Sequence, residues 1–387
     1  MASYVFACTP LHGHLTPLLG IAAEAVRRSH QVTVLTGARF AAEVAAVGAA
    51  HVALPAGADY DDRDLEGVFA GGRPAGRIAR VNADIERLLA AQLGDQHRAL
   101  GRLVADASPA AMLADTSFLG ALTWRAGQAA AGAPTPCPLV VANVTFLTVR
   151  GRCVPPAGVG MRPMGGPLGA ARDAAVRAVS ERVLTRRGLA ALDRASAAVG
   201  GERIPGLLFD GALIADRLLV LTVPGFEYPR TDLPDRVRFT GPVRPPPVRS
   251  WYPPPWWPDL GADRPVVHVT QGTMDNADLG RLVGPALRAL ADEPVVVVAS
   301  TGGPPASAVP GLVPGNAKVA SYLPYDQLLP LVDVMVTNGG YGGVQLALAA
   351  GVPVAVAGRG EDKPEVAARV AWSGAGLDLH TGCPQCR

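Results

Sequence analysis

The sequence is short of several things, and each absence removes a class of protein. No apolar run reaches the ~18 residues that a membrane-spanning helix needs, and the amino terminus enters a strand-like segment directly, with no charged and apolar leader. Stable membrane insertion and secretion are therefore not expected, and the chain reads as cytoplasmic. Long blocks of one charge are also missing: 35 basic and 33 acidic residues leave a net charge of +2, which offers no basic footprint for nucleic acid. Lysine is almost absent, with Lys318 and Lys363 the two present, a bias that points to a GC-rich genome. The cysteines, Cys8, Cys137, Cys153, Cys383 and Cys386, are odd in number and scattered, which argues for reduced thiols. Cys383-x-x-Cys386 has no second pair to complete a zinc site and does not open a thioredoxin-like helix, so no metal is expected there.

What is present is material for cores. A chain of 387 residues, 49% hydrophobic and 18% charged, suits two compact domains. The first half alternates strand and helix patterns. Residues 4–7 read as a strand, the loop from Cys8 to Pro17 holds His12 and His14, a helix follows, and 31–36 is a second strand. A histidine at the carboxyl end of a strand can serve as a general base or be a solvated loop residue. Residues 56–76 lack periodicity and read as a mobile loop beside a cleft or a surface excursion, and 78–103 reads as one long helix. Strand 110–115 ends in Asp115, which suits either an N-cap or a carboxylate facing the histidine loop. Strand 139–144, an irregular Gly/Pro-rich stretch over 151–169, helices over 170–199 and a last strand at 217–222 complete the half.

Two proline runs, Gly241–Pro247 and Tyr252–Pro258, form a stiff connector, so the expected domains are 1–240 and 262–387 with a linker at 241–261. The second half restarts with a strand at 265–270 leading to Gln271-Gly272-Thr273, a helix over 277–291, strand 294–300 and a short strand at 319–321. Val334-Met335-Val336-Thr337 then stops at Asn338-Gly339-Gly340, a helical segment runs to Gly351 at its C′ position, and 352–356 is a strand. Strand, glycine turn and helix aim free N–H groups and the positive helix end at one point, where a phosphate is the natural occupant.

Taken together, His12-Gly13-His14-Leu15-Thr16-Pro17, Gln271-Gly272-Thr273, Tyr322-Leu323-Pro324, Thr337-Asn338-Gly339-Gly340-Tyr341-Gly342-Gly343, Gly351-Val352-Pro353 and Glu361-Asp362-Lys363-Pro364-Glu365 resemble the family 1, UDP-glycosyltransferase-like enzymes of the bacterial macrolide-glycosyltransferase type. The resemblance spans nearly the whole chain. It implies an α/β GT-B fold, two Rossmann-like domains facing each other across a cleft, and inverting, metal-independent transfer of a sugar from a UDP- or dTDP-linked donor to a hydroxyl of a small lipophilic or natural-product acceptor. It implies no cofactor, since the nucleotide-sugar is a co-substrate. It also implies His14 as the general base, Asp115 as its carboxylate partner, and donor contacts from Gly13, Gly272, Thr273, Tyr322, Leu323, Asn338, Gly340, Tyr341, Gly342, Gly343, Gln345, Asp362 and Lys363. Tyr322 would stack on the base, though a rim or core tyrosine is the other reading.

Departures from the family pattern carry expectations of their own. Asn338 replaces a diphosphate-binding histidine, Gly343 a serine or threonine, and Leu346 a ribose-binding glutamate with Gln345 as nearest substitute; Lys363 replaces glutamine and adds a cation near the sugar or phosphate that would partly compensate for Asn338. The carboxyl end is shorter than the family's. An alternative function is accordingly a catalytically weakened or auxiliary GT-B protein; an epimerase fits the first loop less well, and no G-x-G-x-x-G supports a nicotinamide enzyme.

Overall fold

β-Branched and small apolar runs become the strands of two all-parallel sheets, most of them joined through crossover helices. The structure, a computed structural model, describes residues 1–69, 72–132, 135–199, 204, 206–246, 251–261 and 263–384. It divides into two compact units. The first comprises Met1–Ala157, Pro163–Leu221 and Pro229–Pro246, the second Gly158–Arg162, Thr222–Tyr228 and Pro247–Arg387.

In the first unit the order is β1 (Ser3–Ala7), α1 (His12–Arg27), β2 (Gln31–Thr36), α2 (Ala41–Ala46), β3 (Ala50–Ala53), α3 (Leu65–Val68), α4 (Arg77–Asp84), α5 (Ala91–Ala107), β4 (Ala111–Asp115), α6 (Leu119–Ala130), β5 (Leu139–Asn143), α7 (Gly166–Val179), α8 (Arg186–Ala198), β6 (Arg217–Val220) and β7 (Val237–Phe239). The strands lie in the order β3-β2-β1-β4-β5-β6-β7, so the direction of winding reverses between β1 and β4. Helices cover both faces, one packed through Leu93, Leu100, Phe118 and Leu192, the other through Leu15, Leu18, Phe40 and Val44. The expected 78–103 helix is α4 and α5 joined by a wider-wound stretch, Ile85–Ala90. Three expectations are corrected. The histidine loop is shorter, because α1 begins at His12 and carries Pro17 inside it, where the opposing residue one turn back is Gly13. Strand β6 is not the last, since β7 follows from a charged, weakly patterned segment, and β3 also escaped detection. The 151–169 stretch gives way to α7 at Gly166.

In the second unit come β8 (Val266–Thr270), α9 (Val283–Ala289), β9 (Val296–Ser300), β10 (Ala317–Ala320), α10 (Tyr325–Leu328), β11 (Val334–Thr337), α11 (Tyr341–Ala349), β12 (Val354–Val356), α12 (Lys363–Trp372) and β13 (Gly376–Asp378), in sheet order β10-β9-β8-β11-β12-β13. The reversal falls between β8 and β11. Helix α9 is shorter than the expected 277–291, and its lost first turns are held as loop by the Gln271 side chain. The segments Gly158–Arg162 and Thr222–Tyr228 are fastened to α12 by a buried ion triad: Arg369 lies 2.8 Å from Glu227 and 2.6 Å from Glu365, whose Oε1 accepts the Gly158 and Gly160 N–H groups at 2.9 and 2.7 Å. In the connector, Trp257 packs edge-on against Trp251 with ring centroids 4.8 Å apart; Pro247 and Cys386 lie outside the described residues. Among the described residues no helix is long and apolar enough to cross a membrane.

Candidate active site

Open parallel sheets bind ligands beyond the carboxyl ends of their strands, at the point where the winding reverses. In the first unit that point is framed by the ends of β1 and β4, and the two residues singled out there meet. His14 sits in the first turn of α1, which starts because Leu11 is extended and its carbonyl accepts the Leu15 N–H at 2.9 Å. Its Nδ1 is 3.0 Å from Asp115 Oδ1. Asp115 is not the N-cap of α6; that helix begins at Leu119, and Asp115 instead accepts the Ser117 N–H at 2.7 Å on Oδ1 and the Thr9 N–H at 2.6 Å on Oδ2. Burial of the carboxylate opposes its charge, but the His14 imidazole and these backbone donors outweigh it, and the pKa is held below the ordinary value. An ionised Asp115 accepts only, so His14 carries its proton on Nδ1 and leaves Nε2 as a lone pair. That is the tautomer a general base requires. Gly13, beside it, is exposed and has open space where a side chain would stand.

His12 is a different histidine. Its Nε2 lies 3.5 Å from Thr16 Oγ1, and burial lowers its pKa. The 56–76 region is no free excursion either. Asp59 accepts the Ala38 N–H at 3.0 Å and Asp62 the His12 N–H at 2.6 Å, and Tyr60, held between them, buries a hydroxyl whose pKa burial and nearby Asp115 push up. The signal for this was the run Asp59-Tyr60-Asp61-Asp62 in a chain otherwise poor in charge. Thr9 and Ser117 act through backbone amides, which side-chain identity does not advertise.

In the second unit the reversal is framed by the ends of β8 and β11. Gln271, passed over in the sequence, organises the first of these: its amide donates to the Asp275 and Asp278 carbonyls, both at 3.0 Å, and its side-chain oxygen accepts the N–H groups of Leu282 and Val283 at 3.0 and 3.1 Å. Gly272 then turns with φ +70° and Thr273 stands exposed. Asn338 is buried and donates to the Gln271 carbonyl at 2.5 Å, so this amide clips the two strand ends together. Gly339 needs its left-handed φ of +91°, and a side chain at Gly358 would lie 1.8 Å from the Asn338 carbonyl. Gly340 is the N-cap of α11 with no side-chain cap, so the N–H groups of Tyr341, Gly342 and Gly343 are the helix's unpaired donors. The Tyr325 ring lies over Gly343, 3.6 Å from where a Cβ would be, and closes one side of this seat.

Tyr322 is half-exposed while Leu323, next to it, is buried. Two placements differ from expectation. Tyr341 turns its ring inward against Phe226, and Gln345 points into the interior, where its oxygen accepts the Thr222 hydroxyl at 2.6 Å; neither side chain lies at the seat. Lys363 is the other correction. It is buried, 2.8 Å from Glu361 and 3.3 Å from Asp275. Desolvation works against its charge, the two carboxylates prevail, and its pKa is raised. The cation is thus already balanced and does not stand in for a charge at Asn338. Asp362 precedes it at the N-cap of α12 without a side-chain cap bond, and Glu361 adopts a left-handed φ of +53°.

Residues 286–384 match the family model described as Erythromycin biosynthesis protein CIII-like, C-terminal domain. Over 381 residues the sequence is 39% identical to the 4'-demethylrebeccamycin synthase of Lentzea aerocolonigenes, covering 98% of this chain and 87% of that protein. The chain belongs to the natural-product GT-B glycosyltransferases. This glycosyltransferase is also 33% identical, over 392 residues, to UDP-glucosyltransferase A1 of Starmerella bombicola, with 98% of this chain and 82% of that one aligned. Among solved structures it is similar to the glycotransferase of kitacinnamycin, with a TM-score of 0.69 at 23% identity over 97% of this chain and 85% of that chain. The glycosyltransferase SnogD from Streptomyces nogalater gives 0.64 at 21% identity over 100% and 88%. At these identities the structural likeness speaks for the fold alone.

Proposed function

We propose that this glycosyltransferase moves a sugar from a UDP- or dTDP-linked donor to a hydroxyl of a small lipophilic or natural-product acceptor, with inversion at the anomeric carbon and without a metal ion. The observation that carries the reading is the His14–Asp115 pair at the reversal point of the first sheet. Nε2 takes the acceptor's proton as its oxygen attacks, and the ionised Asp115 stabilises the imidazolium that forms. In the second unit, the unpaired N–H groups at the start of α11 receive the diphosphate and offset the charge it gains on leaving. Gly272 and Thr273 border that seat from the end of β8, Tyr322 stacks on the base with Leu323 offering its backbone to the base edge, and Asp362 addresses the sugar. A single displacement at the anomeric carbon inverts it.

Calorimetric titration with UDP, dTDP, UDP-glucose and a dTDP-deoxysugar, at neutral pH in the presence of a chelator, tests the donor half. Micromolar binding of one nucleotide is expected. A second reading, a weakened or auxiliary protein that binds without efficient transfer, is favoured by Asn338 and Lys363 being engaged internally; binding without turnover across an acceptor screen selects it. Failure to bind any of the four overturns both. Tyr322→Ala is expected to weaken nucleotide binding about tenfold and Tyr322→Phe to leave it within about twofold, as stacking predicts. Equal losses in the two variants would remove Tyr322 from the base site.

A further inference from the structure

The loop before α3 is tied to the first turn of α1 by acidic side chains. Asp62, buried at 5% exposure, crosses 50 positions in sequence to accept the His12 N–H at 2.6 Å. His12 is the first residue of α1, so this N–H is one of the helix's unpaired donors, and α1 has no cap from its own Leu11. The other Asp62 oxygen pairs with Arg39, which also approaches Asp61 at 3.5 Å and lies over the Phe40 ring at 3.9 Å. The helix turn capped in this way is the one that carries His14.

We propose that Asp62 is a positioning residue for His14: its carboxylate caps the first turn of α1 from a distant loop and, balanced by Arg39, fixes where the imidazole sits against Asp115 and the field in which it gains and loses a proton. The inference rests on the reading of His14 as the base. The charged and titratable groups around this turn are Asp115 from β4, Cys8 just after β1, His12 on α1, Tyr60, Asp61 and Asp62 from the loop, Arg39 from the turn after β2, and Glu43 from α2. Asp62 and Arg39 are a balanced pair of opposite sign. Removing one member unbalances the site in a known direction.

The test uses the full chain with Asp62→Ala, Asp62→Asn and Arg39→Gln, measuring nucleotide affinity, kcat and the pH profile of kcat/KM. Asp62→Ala is expected to lower kcat about tenfold through loss of orientation, with nucleotide Kd unchanged within about twofold. Asp62→Asn keeps an acceptor for the His12 N–H but removes negative charge, which disfavours the imidazolium, so the acid limb moves to lower pH. Arg39→Gln removes positive charge and moves it to higher pH, each by about half a unit. Opposed shifts support the assignment. A purely structural part would lower stability without opposed shifts, and shifts of one sign, or none, overturn the proposal. If Asp62→Ala does not fold, the two polar variants decide the matter. His14→Ala is run alongside: if it retains turnover, the base assignment fails; if it is dead while the Asp62 and Arg39 variants match wild type, only the positioning role fails.

Discussion

Turnover of His14→Ala falls by about 10²–10⁴-fold, the range a general base contributes, while nucleotide affinity stays unchanged. The split follows from where the parts are. His14 and Asp115 are both in the first unit, and apart from Gly13 the groups assigned to the donor are in the second. Alanine at position 14 is compatible with helix α1, so the fold is kept. What it removes is Nε2 and the imidazole partner of Asp115 Oδ1; the carboxylate keeps the Ser117 N–H on Oδ1 and the Thr9 N–H on Oδ2. With the imidazole gone, the Asp115 pKa rises from its lowered position, because the His14 contribution was the largest of those opposing burial. In the wild type, the folded pKa lies below the unfolded value of about 4. The stability this supplies is therefore fully present above that value and is lost as pH falls through the folded one. His14→Ala should flatten that acid-side dependence, which urea melts between about pH 3 and 6 would show. Single-turnover rates measured with a bound donor give the catalytic arm. A variant that kept more than about a tenth of wild-type turnover would remove His14 from the base role.

Much of this was legible in the sequence, and the parts that were not share a physical cause. Both sheets could be read because buried parallel strands are short apolar runs, some of which end abruptly at glycine or asparagine, as β2 and β11 do. The strands that escaped, β3, β7 and β13, are brief and lie at sheet edges, where one side is wet and the apolar pattern thins. Asp115 as the partner of His14 was implied by the resemblance, and in the sheet β1 and β4 are neighbours, which brings their carboxyl ends together. Side-chain direction could not be read. Tyr341, Gln345 and Lys363 occupy positions in or beside a ligand motif, yet each is turned inward by a partner far away in sequence: Phe226, Thr222 and Asp275. Gln271 was missed for the same reason, since its work is done on carbonyls and amides that have no signature. A motif fixes where the backbone goes; the partner across the fold decides where a side chain points.

Arg369→Ala is expected to destabilise the second unit by about 3–5 kcal/mol, the usual result of leaving a buried charge without its partner. Two carboxylates depend on this guanidinium, Glu227 and Glu365, and all three side chains are nearly inaccessible. The guanidinium also lies over the Tyr228 ring, 4.4 Å from its centroid, so its removal takes packing as well as charge. Arg369→Lys keeps a positive charge but cannot fork to two acceptors, and is expected to recover part of the loss. Arg369→Met combined with Glu227→Gln and Glu365→Gln removes all three charges and should be milder than Arg369→Ala, even though more has been changed. Denaturant melts that follow the tryptophans separately from the far-ultraviolet signal are needed, because a chain of two units need not unfold in one step. The consequence for binding is specific. Helix α12 opens with Lys363 directly after Asp362, and the triad anchors its first and second turns. Loosening it should weaken binding of the nucleotide-sugar more than of the free nucleotide, whose seat at α11 is built from other contacts. Equal losses for both ligands would place the triad outside sugar recognition, and a destabilisation below about 1 kcal/mol would mean that the three buried charges hold nothing together.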